Sequence, residues 1–174
     1  MSVNLEHAIK TALEYEGRVH RTYLEASRVA THAVAQRVFS TLCEEEKTHL
    51  TYLHDRLTEW RQSGKITMAE LGTAIPSRAA IAEGVARLKQ KVSGTPPVGH
   101  DAEIEALKQA LAAEVETANF YKEMVRTLEA QGRRLFERFV EIEEGHQAIV
   151  QAELDSVTGL GFWFDTPEFQ LEGE

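Results

Sequence analysis

Glutamate, tyrosine, glutamate and histidine recur in the same order in both halves of this chain. The first set is Glu16, Tyr23, Glu46 and His49, and the second is Glu114, Tyr121, Glu143 and His146. In each set the tyrosine follows the first glutamate by seven residues, and an E-x-x-H closes the pattern. The two glutamates lie 30 residues apart in the first set and 29 in the second. Seven residues is nearly two helical turns, so Glu and Tyr share one stripe of a helix. E-x-x-H likewise puts a carboxylate and an imidazole on one face. Four helices turning these side chains inward would bring four carboxylates and two imidazoles to one point. That is the ligand set of a carboxylate-bridged two-metal centre.

Two ions at the usual ~3.5–4 Å separation need bridging anions to offset their repulsion and terminal ligands to fix each one. Within an E-x-x-H the Glu can bridge while the His binds one ion. Glu46 and Glu143 are therefore read as bridges, His49 and His146 as caps, and Glu16 and Glu114 as terminal carboxylates. Four carboxylates balance two divalent ions. Without metal, the same four groups would be costly to bury and would take up protons. Mixed oxygen and nitrogen ligation favours iron or manganese, with ligand type alone leaving the metal open. A single E-x-x-H is commonplace on a solvated helix. The doubling at matched distances sets this pattern apart from incidental surface charge.

Four long helices must position these residues. Apolar residues recur at helical spacing over about 4–29, and a break near Ala30 and Thr31 follows, with Thr31 the candidate N-cap. A second helix is predicted over about 32–61. Residues 62–100 form a crossover rich in Gly and Pro, holding one short amphipathic helix near 77–91. A third helix follows Asp101 to about 130, Gly132 marks a turn, and the fourth covers about 133–157. The tail, 158–174, contains Phe162, Trp163 and Phe164 in succession. Two short connections and one long one predict an all-α four-helix bundle of two antiparallel hairpins with pseudo-twofold internal symmetry, each hairpin carrying one copy of the motif.

Composition agrees with one domain: 174 residues, 43% hydrophobic and 27% charged. A net charge of −9 argues against nucleic acid, which wants a basic groove. The lone Cys43 excludes an internal disulfide and any Cys-based iron–sulfur site. No secretory signal and no span of ~20 apolar residues is visible, so a soluble cytoplasmic protein without membrane contact is expected.

The segments EGRVHRTY, EKTH, EVETANFY and EEGH resemble the rubrerythrin branch of the ferritin-like superfamily, over roughly residues 5–155. The resemblance implies a centre of two iron ions that reacts with hydrogen peroxide or dioxygen, with Glu16, Glu46, His49, Glu114, Glu143 and His146 as ligands. It also implies dimers or larger assemblies, here a homodimer. Two departures stand out. The four-Cys rubredoxin module of classical members has no counterpart, so electrons must come from an external donor protein. The family's additional Glu on the third helix is Thr117 here, with Glu116 beside it, which counts against the family's usual peroxidase mechanism.

Tyr23 and Tyr121 would point toward the metals and hydrogen-bond a ligand carboxylate, usually of the opposite hairpin. Simple packing and electron relay are the alternatives. His20, one turn after Glu16, is read as an ordinary boundary histidine, because Ala118 holds the matching position. Cys43 is read as a small buried hydrophobe. His7, His32, His54 and His100 have no partners at ligand spacing. Glu44, Glu45 and Glu144 flank the ligands and are read as solvated. The aromatic run 162–164 must cover itself on the bundle or on a second subunit. Three functions compete: a redox enzyme reducing peroxide or dioxygen, a ferroxidase that stores or delivers iron, and a bundle whose metal is only structural.

Overall fold

A computed structural model describes residues 4–91 and 101–159. Among them are five helices and no strand: α1 Leu5–Val29, α2 Ala33–Ser63, α3 Arg78–Lys91, α4 Asp101–Thr127 and α5 Ala130–Gly159. The aromatic run 162–164, the Pro/Gly-rich end of the crossover and His100 lie outside the described residues. None of the described helices is long and apolar enough to cross a membrane.

On α1 the buried positions are Leu5, Ala8, Ile9, Ala12, Glu16, Val19, Tyr23 and Ala26. Their three- and four-residue spacing makes one inward stripe, and a glutamate sits in the middle of it. Asn4 caps this helix by accepting from the Glu6 N–H at 2.8 Å. The break after Val29 differs in detail from the sequence expectation. His32, rather than Thr31, caps α2, its Nδ1 accepting from the Val34 N–H at 3.3 Å. Thr31 instead donates from both its backbone N–H and its hydroxyl to Glu103 of α4, each at 2.8 Å. A carboxylate from the other hairpin outcompetes the local cap.

The second hairpin turns earlier than predicted, at Leu128 and Glu129. Gly132 is buried inside α5 rather than in the turn. Small size is what that position needs: a Cβ there would lie 2.9 Å from Leu128 Cδ1 and 3.1 Å from Leu5 Cδ1. The third helix ends at Thr127 and begins with Asp101 itself.

Helix α1 packs on α2, α4 on α5, and α1 on α4, while the short α3 packs on α5. Two apolar clusters fill the bundle. One contains Val19, Val38, Phe39, Leu42, Leu107, Ala110, Ile149 and Val150. The other contains Ile9, Ala12, Leu53, Tyr121, Phe136, Phe139 and Ile142. Along every long helix the motif's glutamates and histidines fall between these clusters, while Tyr23 lies in the first and Tyr121 in the second. The bundle is thus two apolar plugs with a polar layer between them.

Residues 64–77 run as a strap across α2 and α5. Leaving α2 at Gly64, which is left-handed with φ 67°, the strap buries Ile66, Leu71 and Ile75. Tyr52 of α2 donates to the Ala69 carbonyl at 2.8 Å, and Arg138 of α5 donates to that of Leu71 at 2.9 Å.

Candidate metal centre

Each long helix contributes to the polar layer: Glu16 from α1, Glu46 and His49 from α2, Glu114 from α4, Glu143 and His146 from α5. All six side chains are fully buried. Their ligand atoms fall into two groups of four, Glu16, Glu46, His49 and Glu143, and Glu46, Glu114, Glu143 and His146. Within each group the atoms lie within 4.8 Å of one another. Glu46 and Glu143 belong to both.

Nδ1 of His49 is 3.2 Å from Glu16, 3.3 Å from Glu46 and 3.5 Å from Glu143. His146 Nδ1 is 2.9 Å from Glu46 and 3.7 Å from Glu114. The two imidazoles stack at 5.2 Å between ring centroids. Phe139 meets His49 edge-on at 5.5 Å, closing the layer on the side of the second cluster.

Despite this proximity, many polar atoms have no hydrogen bond. Both carboxylate oxygens of Glu46 and of Glu143, Glu114 Oε2, His49 Nε2 and both His146 nitrogens are unsatisfied and shielded from solvent. Buried polar groups are normally paired, because each orphan costs about 1–3 kcal/mol. So dense a set of convergent orphans fits a metal site: the residues present could hold a metal ion.

Proton affinities show the same pressure. Burial, reinforced by the Glu46 charge, pushes the Glu16 carboxyl up to about 8. Burial also drives Glu143 well above the usual carboxylate range, with Glu16 and Glu114 adding to the effect. Against its burial, His49 is raised to about 10 by the carboxylates of Glu46 and Glu16. His146 is raised well above the usual imidazole value, again against burial, chiefly by Glu143. Burial opposes ionisation of Glu46 too, yet the adjacent His49 holds it well below the ordinary range. Without metal, protons on Glu16, Glu143, His49 and His146 do the neutralising that cations would otherwise do.

Tyr23 donates its hydroxyl to Glu114, and Tyr121 donates to Glu16. Each tyrosine thus reaches the terminal carboxylate of the opposite hairpin. Burial, with those carboxylates beside it, keeps each phenol protonated, well above its ordinary value. In chemical terms, a carboxylate oxygen on each side is fixed while the rest stay available to a cation.

No protein family, curated protein or solved structure matches this chain. The site therefore rests on its own geometry.

Glu45 corrects the sequence reading. Instead of being solvated, its side chain is 12% exposed and lies 3.6 Å from His146 Nε2. It accepts from the Thr73 hydroxyl and from the Ala74 N–H at 2.9 Å. Although burial opposes it, His146 and these strap donors hold its carboxyl at about 2. Glu45 also groups with His49 and His146 as a possible three-residue cation site. Its position directly before Glu46, a hundred degrees around the helix, concealed it. Only the strap brings that face inside.

Gly145, within the second E-x-x-H, lets the strap close down: a Cβ there would meet the Pro76 carbonyl oxygen at 3.0 Å. Glu44 stays exposed, 3.5 Å from Lys47, whereas Glu144 is half-buried and pairs with Lys122 at 3.1 Å. Thr117 is buried, but its hydroxyl donates to the Ala113 carbonyl at 2.9 Å. Glu116 points away to Arg18 at 2.8 Å. His20 belongs to neither metal-ligand group, and its carbonyl lies 3.9 Å from the buried Cys43 sulfur.

Proposed function

We propose that this protein is a di-iron carboxylate oxidoreductase with a ferritin-like bundle of the rubrerythrin type, reducing hydrogen peroxide or dioxygen with electrons from an external donor. The observation that carries the reading is the sharing of Glu46 and Glu143 between two four-residue groups. Each group adds one terminal glutamate and one histidine of its own. A single-ion site has no use for that duplication.

Iron, when bound, would supply the electrons that break the O–O bond of the oxidant. The chain's own residues do the rest. Glu46 and Glu143 would be shared by the two ions, Glu16 with His49 and Glu114 with His146 would each hold one end, and the tyrosines hold Glu114 and Glu16 in register. The two apolar clusters exclude water from the layer, so charges in it are weakly screened. The phenols and protonatable carboxylates offer protons where oxygen is reduced.

Thr117 favours a second reading. Its hydroxyl is spent on the helix backbone, leaving no additional carboxylate of the kind the rubrerythrin resemblance implies for peroxide reduction. Oxidation of Fe(II) by dioxygen, followed by storage or delivery, is that alternative. Anaerobic loading with two equivalents of Fe(II), then mixing with either oxidant, separates them. Faster oxidation by peroxide with iron retained supports the reductase, whereas preference for dioxygen with release of Fe(III) supports iron handling.

A further inference from the structure

A line of aromatic rings connects the buried layer to the surface on one side of the bundle. Tyr121, bonded to Glu16, has its ring centroid 5.4 Å from that of Phe120. Phe120 stacks on Tyr15 of α1 at 4.7 Å, their planes 16° apart. The Arg18 guanidinium lies over the Tyr15 ring at 4.8 Å and is itself tied to the exposed Glu116. Tyr121 is fully buried, whereas Phe120 and Tyr15 are half-buried. Rings in contact therefore lead from a carboxylate of the site to solvent.

The internal repeat supplies a control. Taking Tyr23 as the counterpart of Tyr121, Thr22 stands where Phe120 does, and Ala113 where Tyr15 does. The matching place across the α1–α4 contact carries neither ring, so packing alone does not demand them.

We propose that Tyr15 is the surface terminal of an electron relay, Tyr15–Phe120–Tyr121, that feeds the buried layer while peroxide is reduced. This rests on the redox reading above. Hydrogen peroxide takes up two electrons and two protons to give two waters, so the relay turns over twice per peroxide and both protons consumed come from solvent. An electron drawn from Tyr121 leaves with its phenolic proton passing to Glu16 along the existing hydrogen bond. Tyr15 then returns an electron to Tyr121 across the Phe120 ring, Tyr121 recovers its proton from Glu16, and Tyr15 releases its own proton to solvent. A one-electron reductant at the surface, with a solvent proton, restores Tyr15.

The test uses the full chain loaded with Fe(II), excess hydrogen peroxide and a nitroso spin trap. Freeze-quench EPR reads the radical, and peptide mass spectrometry locates the adduct. The expected result is a tyrosyl signal with the adduct on Tyr15, quenched by ascorbate. Tyr15→Phe is expected to lose the adduct, and Phe120→Leu to lower its yield, with iron stoichiometry unchanged in both. An adduct on Tyr52 with Tyr15 unlabelled, or full iron oxidation by peroxide with no protein radical, would overturn the relay. Failure of the wild-type protein to bind iron or to react with peroxide is a separate result. It would overturn the redox reading and the relay with it.

Discussion

The Tyr121 hydroxyl donates a hydrogen bond to Glu16, a residue 105 positions earlier in the chain, and that of Tyr23 donates to Glu114. This reciprocal exchange ties the two hairpins together at the height of the polar layer. Removing one hydroxyl by Tyr121→Phe takes away the hydrogen bond that fixes Glu16 Oε1 across the bundle. Metal affinity is expected to fall by about 10–100-fold, as for other partners that orient metal ligands. Competition against a chromogenic chelator reads this directly, and an unchanged affinity would reduce the tyrosine to packing.

Glu45→Ala is expected to act on the other side of the layer. It removes the carboxylate facing His146 Nε2 and the hydrogen bonds that Thr73 and Ala74 of the strap donate to it. One of the two ions should be lost about 10–100-fold more readily than the other. A two-step chelator titration in place of the wild type's single step is the signature to look for.

How far the site was legible in the sequence follows from periodicity. Residues on the inward stripe, such as Glu16, Glu46 and His146, declare their direction through their spacing from apolar neighbours. Glu45 does not, because a strap with no helical period covers it. Thr31 looked like a cap because local chemistry favours one, yet Glu103, 72 positions away, captures it. Gly132 read as a turn because glycine commonly ends helices. Its true role, room for Leu128 and Leu5, involves a tertiary contact that no local pattern records.

Gly132→Ala tests that last point. Alanine gains roughly 0.5–1 kcal/mol of helix propensity over glycine, but its methyl would press on three carbon atoms at 2.9–3.1 Å. Overpacking of this kind costs about 1–3 kcal/mol, so a net loss of stability in urea denaturation is expected. A stabilised variant would show that the turn gives way freely.

The response to pH has a definite sign. Glu16 and His49 are raised in the folded, metal-free chain, to about 8 and about 10. Their ordinary values are 4.5 and 6.5. The folded state therefore holds protons that the unfolded state releases as pH rises, and the metal-free protein loses stability between pH 5 and 8, within the range those values bracket. The lowered groups, Glu45 and Glu46, change their contribution only at more acid pH. Loading with divalent metal should displace protons held by Glu16, Glu143, His49 and His146, so metal binding is expected to release protons near pH 7. Calorimetric titration in buffers of different ionisation enthalpy counts them, and thermal melts should show a metal-induced rise in Tm that grows toward pH 8.

The most direct test of the account is anaerobic titration of Fe(II) into the wild-type chain and into the Glu46→Ala/Glu143→Ala variant. Two ions per chain are expected for the wild type, with the integer-spin EPR signal of a coupled pair, and neither ion held tightly by the variant. A variant that still binds two ions as tightly as the wild type would contradict the shared-carboxylate centre.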